Sequence, residues 1–130
     1  MLGSSIAPWL SVRKSAKAVD FYKAAFGAVE VYRLDTGDGV IARLAAQGGE
    51  FWVADESPAN DNFSPESLNG SSVRMILTVA DPDAVFAQAR AAGASVVYPV
   101  TDAHGWRVGR VVDPFGHHWE IGRPLASLCN

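Results

Sequence analysis

The 130 residues contain one cysteine, Cys129, so no internal disulfide can form and the chain fits a reducing compartment. Net charge is only −3, with no long run of one sign, which argues against nucleic acid and anionic membrane as partners. That small acidic balance would tolerate a cationic or neutral small ligand. No apolar run approaches membrane-spanning length. The opening Met1-Leu2-Gly3-Ser4-Ser5-Ile6 lacks the basic-then-apolar order of a secretion signal, so a cytoplasmic protein is expected. There is no Ser-His-Asp set, nucleophile elbow, phosphate loop or cysteine–histidine pair. Gly37 and Gly39 are turn residues with no helix after them, not a dinucleotide fingerprint, and Tyr22 and Tyr32 lack catalytic partners. What the chain does have is apolar residues, 48% of the total, enough for one domain with a real core.

Periodicity orders these residues. Ile6 to Val12 reads as a strand, and Ser15 as the N-cap of a helix running to Phe26. Val19, Tyr22 and Phe26 give that helix one apolar face, and Gly27 stands where a C-cap glycine belongs. Strands follow at Val29 to Leu34, Val40 to Ala45 and Phe51 to Ala54, the first pair joined at Asp38-Gly39 and the second at Gln47-Gly48-Gly49. Residues 55–72 are rich in Pro, Asn, Asp and Ser and read as a linker or surface loop pinned by Phe63. The pattern then restarts: a strand at Val73 to Val79, a helix capped by Asp81 with Pro82 first, then Gly93, and strands at Ser95 to Val100, Trp106 to Val112 and His117 to Gly122.

The two halves superpose. A shift of 67 positions brings Leu10 onto Leu77, Val12 onto Val79, Arg43 onto Arg110, Gly49 onto Gly116 and Trp52 onto Trp119. The helices match at 66, with Gly27 on Gly93. The chain is thus two copies of strand-helix-strand-strand-strand, an α+β domain of module one (6–54), a linker (55–72) and module two (73–122).

The last hairpin carries the most specific local pattern. In Asp113-Pro114-Phe115-Gly116, Pro114 suits the second position of a type I turn and Gly116 the left-handed residue closing it. Beyond it, alternation puts His118 and Glu120 on one strand face and Trp119 on the other. The duplicated unit, together with Phe21 to Ala28 and Asp113 to Glu120, resembles the vicinal oxygen chelate superfamily. That superfamily holds glyoxalase I, extradiol dioxygenases, fosfomycin resistance enzymes and bleomycin-binding proteins. The resemblance, closest to its small glyoxalase/bleomycin resistance-like members, covers about the whole chain. It implies two tandem βαβββ modules forming a curved mixed-sheet cup, and a homodimer in which two chains build or complete the cups.

The resemblance also implies one metal ligand on the first and last strand of each module. Glu120 matches the family's glutamate. Its expected repeat mate is Val53, and the first-strand positions fall near Ala7 (or Pro8) and Arg74. One ligand type in four is too few to hold a catalytic metal, so no cofactor is expected. If a divalent metal binds, Glu120, His118 and His104 are the set to hold it, in a lyase, isomerase or dioxygenase. A second reading of the same positions pairs Arg74 with Glu120, either as internal structure or as a site for an anionic or carbonyl-bearing ligand. The family's turn also commonly carries a histidine, so His117 reads as turn chemistry.

Alternation along the strands sends Trp9, Ser11, Phe51, Ile76, Thr78 and His118 into the cup, and Trp52 and Trp119 beneath the helices, with Trp106 near the rim or a subunit contact. Trp9, Phe51, Arg74, His118 and Glu120 are the expected lining of a pocket for a small apolar or aromatic molecule. The plainer alternative is that the aromatics fill the cup and leave a relic acting only through its dimer surface.

Overall fold

The computed structural model describes residues 3–126. Cys129, and the Met1 and Leu2 of the expected leaderless start, lie outside the described residues. Module one consists of β1 (Trp9–Val12), α1 (Ser15–Phe26), β2 (Val29–Asp35), β3 (Val40–Ala46) and β4 (Gly49–Asp55). Module two repeats the order: β5 (Arg74–Thr78), α3 (Pro82–Ala92), β6 (Ser95–Ala103), β7 (Trp106–Val112) and β8 (His118–Pro124). Each makes its own four-stranded sheet, in the orders β1-β4-β3-β2 and β5-β8-β7-β6, with one parallel and two antiparallel pairings. The architecture is the expected α+β duplication. Ile6, expected in the first strand, lies before it and is exposed.

Residues 55–72 are not structureless. A 3-10 turn spans Pro58–Asn60, and α2 (Pro65–Leu68) starts at Ser64, whose Oγ accepts from Ser67 N–H at 3.2 Å. The Glu56 carboxylate fastens this strap. It accepts from Ser64 N–H at 2.8 Å and Ser67 Oγ–H at 3.0 Å, and it meets Arg13 at 3.5 Å. Composition reads such a segment as loop because its order comes from side-chain-to-backbone bonds and not from a repeating apolar face.

The start of α1 differs from expectation for a related reason. Lys14 holds the N-cap position without a side-chain cap, and Ser15 is the first helical residue. Its N–H donates to Asp55 Oδ1 at 2.8 Å, while its Oγ accepts from Val40 N–H at 2.8 Å. The end of β4 thus caps the helix across the module. This packing explains Gly39: a Cβ there would stand 2.1 Å from Asp55 Oδ2 and 2.5 Å from Ser15 Oγ. The left-handed residue of that hairpin is Gly37 (φ 91°).

The core lies between the helices and the inner faces of both sheets. Tyr22 and Phe26 of α1 meet Phe51 and Trp119, with ring centroids 5.4 Å apart for Tyr22–Phe51, 5.4 Å for Phe51–Trp119 and 4.5 Å for Phe26–Trp119. Phe51 was expected in the cup; it is 4% exposed and belongs to this cluster. Trp52, expected beneath the helices, is on the opposite, cup-facing side, stacked against Trp9 at 5.7 Å.

The register explains both corrections. Arg43 pairs with Trp52 in module one, and Arg110 pairs with Glu120 in module two. A tight two-residue turn joins β3 to β4 (Ala46 opposite Gly49), whereas the β7–β8 connection carries one residue more. The true shift over the last strand is therefore 68, placing Phe51 on Trp119 and Trp52 on Glu120. A one-residue slip exchanges the two faces of a strand.

Candidate functional site

The Asp-Pro-Phe-Gly hairpin forms as a turn closed by Gly116 N–H donating to Asp113 O (3.1 Å) and Asp113 N–H donating to His117 O (2.8 Å), with Gly116 at φ 93°. Asp113 does more than turn the chain. Its Oδ1 accepts from the N–H groups of Phe115 (2.9 Å) and His117 (3.0 Å), and its Oδ2 from Tyr22 Oη–H (2.5 Å) and Trp119 Nε1–H (3.0 Å). The buried carboxylate thus ties module two to α1 of module one, with four donors in place of a cation. Burial first, and then the Asp113 carboxylate, hold the Tyr22 hydroxyl protonated well above the ordinary phenol range. His117 adds a second tie, its Nε2–H donating to the Ser11 carbonyl at 2.9 Å. These residues assemble the fold and do not line the cup.

The cup faces carry two equivalent rows, each crossing a whole sheet. In module one the row is Trp9 (β1), Trp52 (β4), Arg43 (β3) and Tyr32 (β2), with each residue opposite the next in register. Trp9 and Trp52 stack at an interplanar angle of 20°, Tyr32 meets Trp52 edge-on at 5.8 Å, and the Arg43 guanidinium lies 5.2 Å from the Trp52 ring centroid. The Glu50 carboxylate compensates Arg43. Trp9 and Tyr32 are each 48% exposed, so this shelf of rings is not packed away. A cation over one ring and half-bare neighbours on either side suit a planar guest held by stacking.

In module two the same positions hold Ile76 (β5), Glu120 (β8), Arg110 (β7) and Tyr98 (β6). Glu120 Oε2 accepts from Arg110 Nη2–H at 3.0 Å and is also paired with Arg74 Nε. Arg110 lies over Tyr98 at 5.5 Å. The expected Arg74–Glu120 pair is present, then, with a second guanidinium that the repeat aligned (Arg43 on Arg110) but that alternation along β7 was needed to bring onto the cup face. Ile76, Tyr98, His104, Trp106, Val108 and Glu120 enclose a hollow of 310 Å³, and Trp106 belongs to its wall. A separate hollow of 360 Å³ lies along the seam of the modules, where Trp9 and His117 meet Phe63 and Leu68 of the strap and Val73 and Met75.

The metal set fares differently. His118 is opposite Val112 at one end of β8, while His104 precedes Trp106, which is opposite Pro124 at the other end. Six residue steps separate those rows, roughly 20 Å along the strands. His118, Glu120 and His104 therefore do not converge, because they are distributed along the hairpin and not around one point. Glu120 has two guanidinium partners, and its repeat mate is Trp52, not Val53. Among the described residues no three His, Cys, Asp or Glu side chains come together to hold a metal ion.

The glyoxalase-like domain family matches residues 9–122. An uncharacterized protein of Mycobacterium tuberculosis is 42% identical over 130 aligned residues, covering 95% of this chain and 76% of its own. The crystal structure of an Arabidopsis thaliana gene product, 34% identical, covers 92% of this chain and 97% of its own with a TM-score of 0.70. TnmS3, described as an antibiotic binding protein from a Streptomyces species, shares the fold at 22% identity and a TM-score of 0.65, covering 95% and 99% of the two chains.

Proposed function

Because the chain belongs to the glyoxalase-like domain family of the vicinal oxygen chelate superfamily, we propose that it is a small-molecule-binding protein with a degenerate metal site, taking an apolar or aromatic guest in the cup. The observation that carries this reading is the half-exposed shelf of Trp9, Trp52 and Tyr32 where a catalytic cup would present ligands to a metal. Superfamily membership does not decide between binding and chemistry, since one fold hosts both. An antibiotic-binding neighbour of the same fold makes the binding role a reasonable one to test. Arg74, His118 and Glu120 supply the polar groups of the module-two face, and Trp9 and Trp52 the stacking surface of the module-one face; Phe51 is withdrawn to the core. The proposal includes a cytoplasmic location and no cofactor.

It also includes a homodimer. Both cup faces are open, and Trp9, Val29, Tyr32, Leu34 and Ile76 are all exposed upon them. A second copy laid sheet against sheet would enclose a guest and cover this apolar surface. Light scattering on a sizing column is expected to give twice the chain mass; a monomer at tens of micromolar would remove the dimer and leave each cup open.

Intrinsic fluorescence tests the binding reading. Planar aromatic compounds are expected to quench emission saturably in the wild type, and Trp52→Leu to lose most of that response. Stoichiometric metal retained by protein purified without chelator, and lost in Glu120→Ala, would instead favour a metal-dependent lyase, isomerase or dioxygenase.

A further inference from the structure

The charge on the cup face of module two selects among guests. By strand register that face displays Arg74, Ile76 and Thr78 from β5, His118, Glu120 and Gly122 from β8, and Trp106, Val108 and Arg110 from β7, with Tyr98 from β6 beside them. Arg107 points the other way and is compensated by Asp83 and Asp102. Two guanidinium groups and one carboxylate remain, a local excess of one positive charge in a chain whose net charge is −3. Both guanidinium groups are on the same oxygen, Glu120 Oε2. Arg74 engages it through Nε, and its two Nη groups make no hydrogen bond among the described residues. Its side chain is 50% exposed, against 17% for Glu120, so the unengaged fork is at the open end of the cup.

Two further atoms at the same place lack partners. Arg110 Nε and His118 Nδ1 are buried without a hydrogen bond among the described residues, Arg110 opposite Glu120 on β7 and His118 two residues before it on β8. His118 is opposite Arg74 in register, one row from the carboxylate. The guanidinium N–H groups at this end of the cup, Arg110 Nε and the Arg74 fork, are thus short of an acceptor. An apolar wall formed by Ile76, Tyr98, Trp106 and Val108 continues from it.

Resting on the reading of the cup faces as aromatic-binding, we infer that the module-two face takes an aromatic acid, with its ring beside Tyr98 and Trp106 and a single anionic group on the Arg74 fork. A carboxylate there gains charge-assisted hydrogen bonds from a planar donor pair and neutralises the excess charge. A cationic guest meets two guanidinium groups, and a neutral one leaves the fork unused. The chain's overall acidity, which by itself favours a cationic or neutral ligand, is outweighed by the local excess, because exposed charges beyond roughly 10 Å are largely screened at 0.1 M salt.

Three matched probes test this: naphthalene carboxylate, naphthalene carboxamide and naphthylmethylammonium, titrated by tryptophan fluorescence into wild type, Arg74→Gln and Arg74→Lys. The carboxylate is expected to bind at least tenfold more tightly than the carboxamide, with the ammonium weakest. Arg74→Gln should remove most of the carboxylate's advantage over the carboxamide; Arg74→Lys should keep part of the preference. Far-UV circular dichroism checks that the variants are folded. Equal affinities, a preference for the ammonium, or a carboxylate preference that survives Arg74→Gln would overturn the charge assignment and leave aromatic binding standing. Absence of a response to all three probes would overturn the aromatic cup and this inference together.

Discussion

Asp113 shows how much one side chain can hold. It satisfies two backbone donors of its own turn and two side-chain donors from elsewhere, Tyr22 and Trp119. Asp113→Ala leaves those buried donors unpaired at about 1–3 kcal/mol each, so a loss of ~3 kcal/mol or more is expected from the shift of the urea midpoint. Tyr22→Phe, which removes one donor and leaves three, should cost clearly less. The phenol also sets an alkaline limit. Its protonation is held up in the folded state, so the folded chain binds the proton more tightly than the unfolded one. The resulting stability is complete below the unfolded value of about 10 and is lost as pH rises beyond it. Melting temperatures of the wild type should therefore fall relative to Tyr22→Phe above that pH; parallel profiles would contradict the assignment.

At the scale of elements, the helices and most strands were legible because their apolar spacing and glycine stops are local. Asp81 does cap α3, its Oδ1 accepting from Ala84 N–H at 3.2 Å, whereas α1 takes its cap from Asp55, forty residues away, which no local pattern announces. Asp55→Ala is expected to cost about 1 kcal/mol, the usual worth of an N-cap, and to speed amide exchange in the first turn of α1 over that of α3. The site was half legible. His118, Glu120 and Arg74 fall on the cup face of module two as alternation requires, and Trp9 on that of module one. Phe51 and Trp52 were exchanged because Trp52 and Trp119 share an identity but not a position. The signal was available: a two-residue turn at Gln47-Gly48 sets Arg43 opposite Trp52, on the face away from Leu44 and Ala42.

For the whole molecule, duplication built two sheets from one plan and then let their equivalent rows diverge. Arginine and tyrosine persist at corresponding places, Arg43 with Arg110 and Tyr32 with Tyr98, while Trp52 in one module answers to Glu120 in the other. One cup face became a shelf of rings and the other a carboxylate between two guanidinium groups. Sequence periodicity conveys the plan; the divergence depends on which residues meet across strands, and that requires the register. The four tryptophans report on all of these places: Trp9 and Trp52 on the shelf, Trp106 in the hollow of module two, and Trp119 in the core on Asp113. Titrating the nitrogen-15-labelled protein with naphthalene carboxylate while following the four indole N–H resonances tests the aromatic cup most directly. Saturable shifts of the Trp9, Trp52 and Trp106 signals with Trp119 unmoved are expected; no shift at any of them, or shifts confined to Trp119, would contradict it.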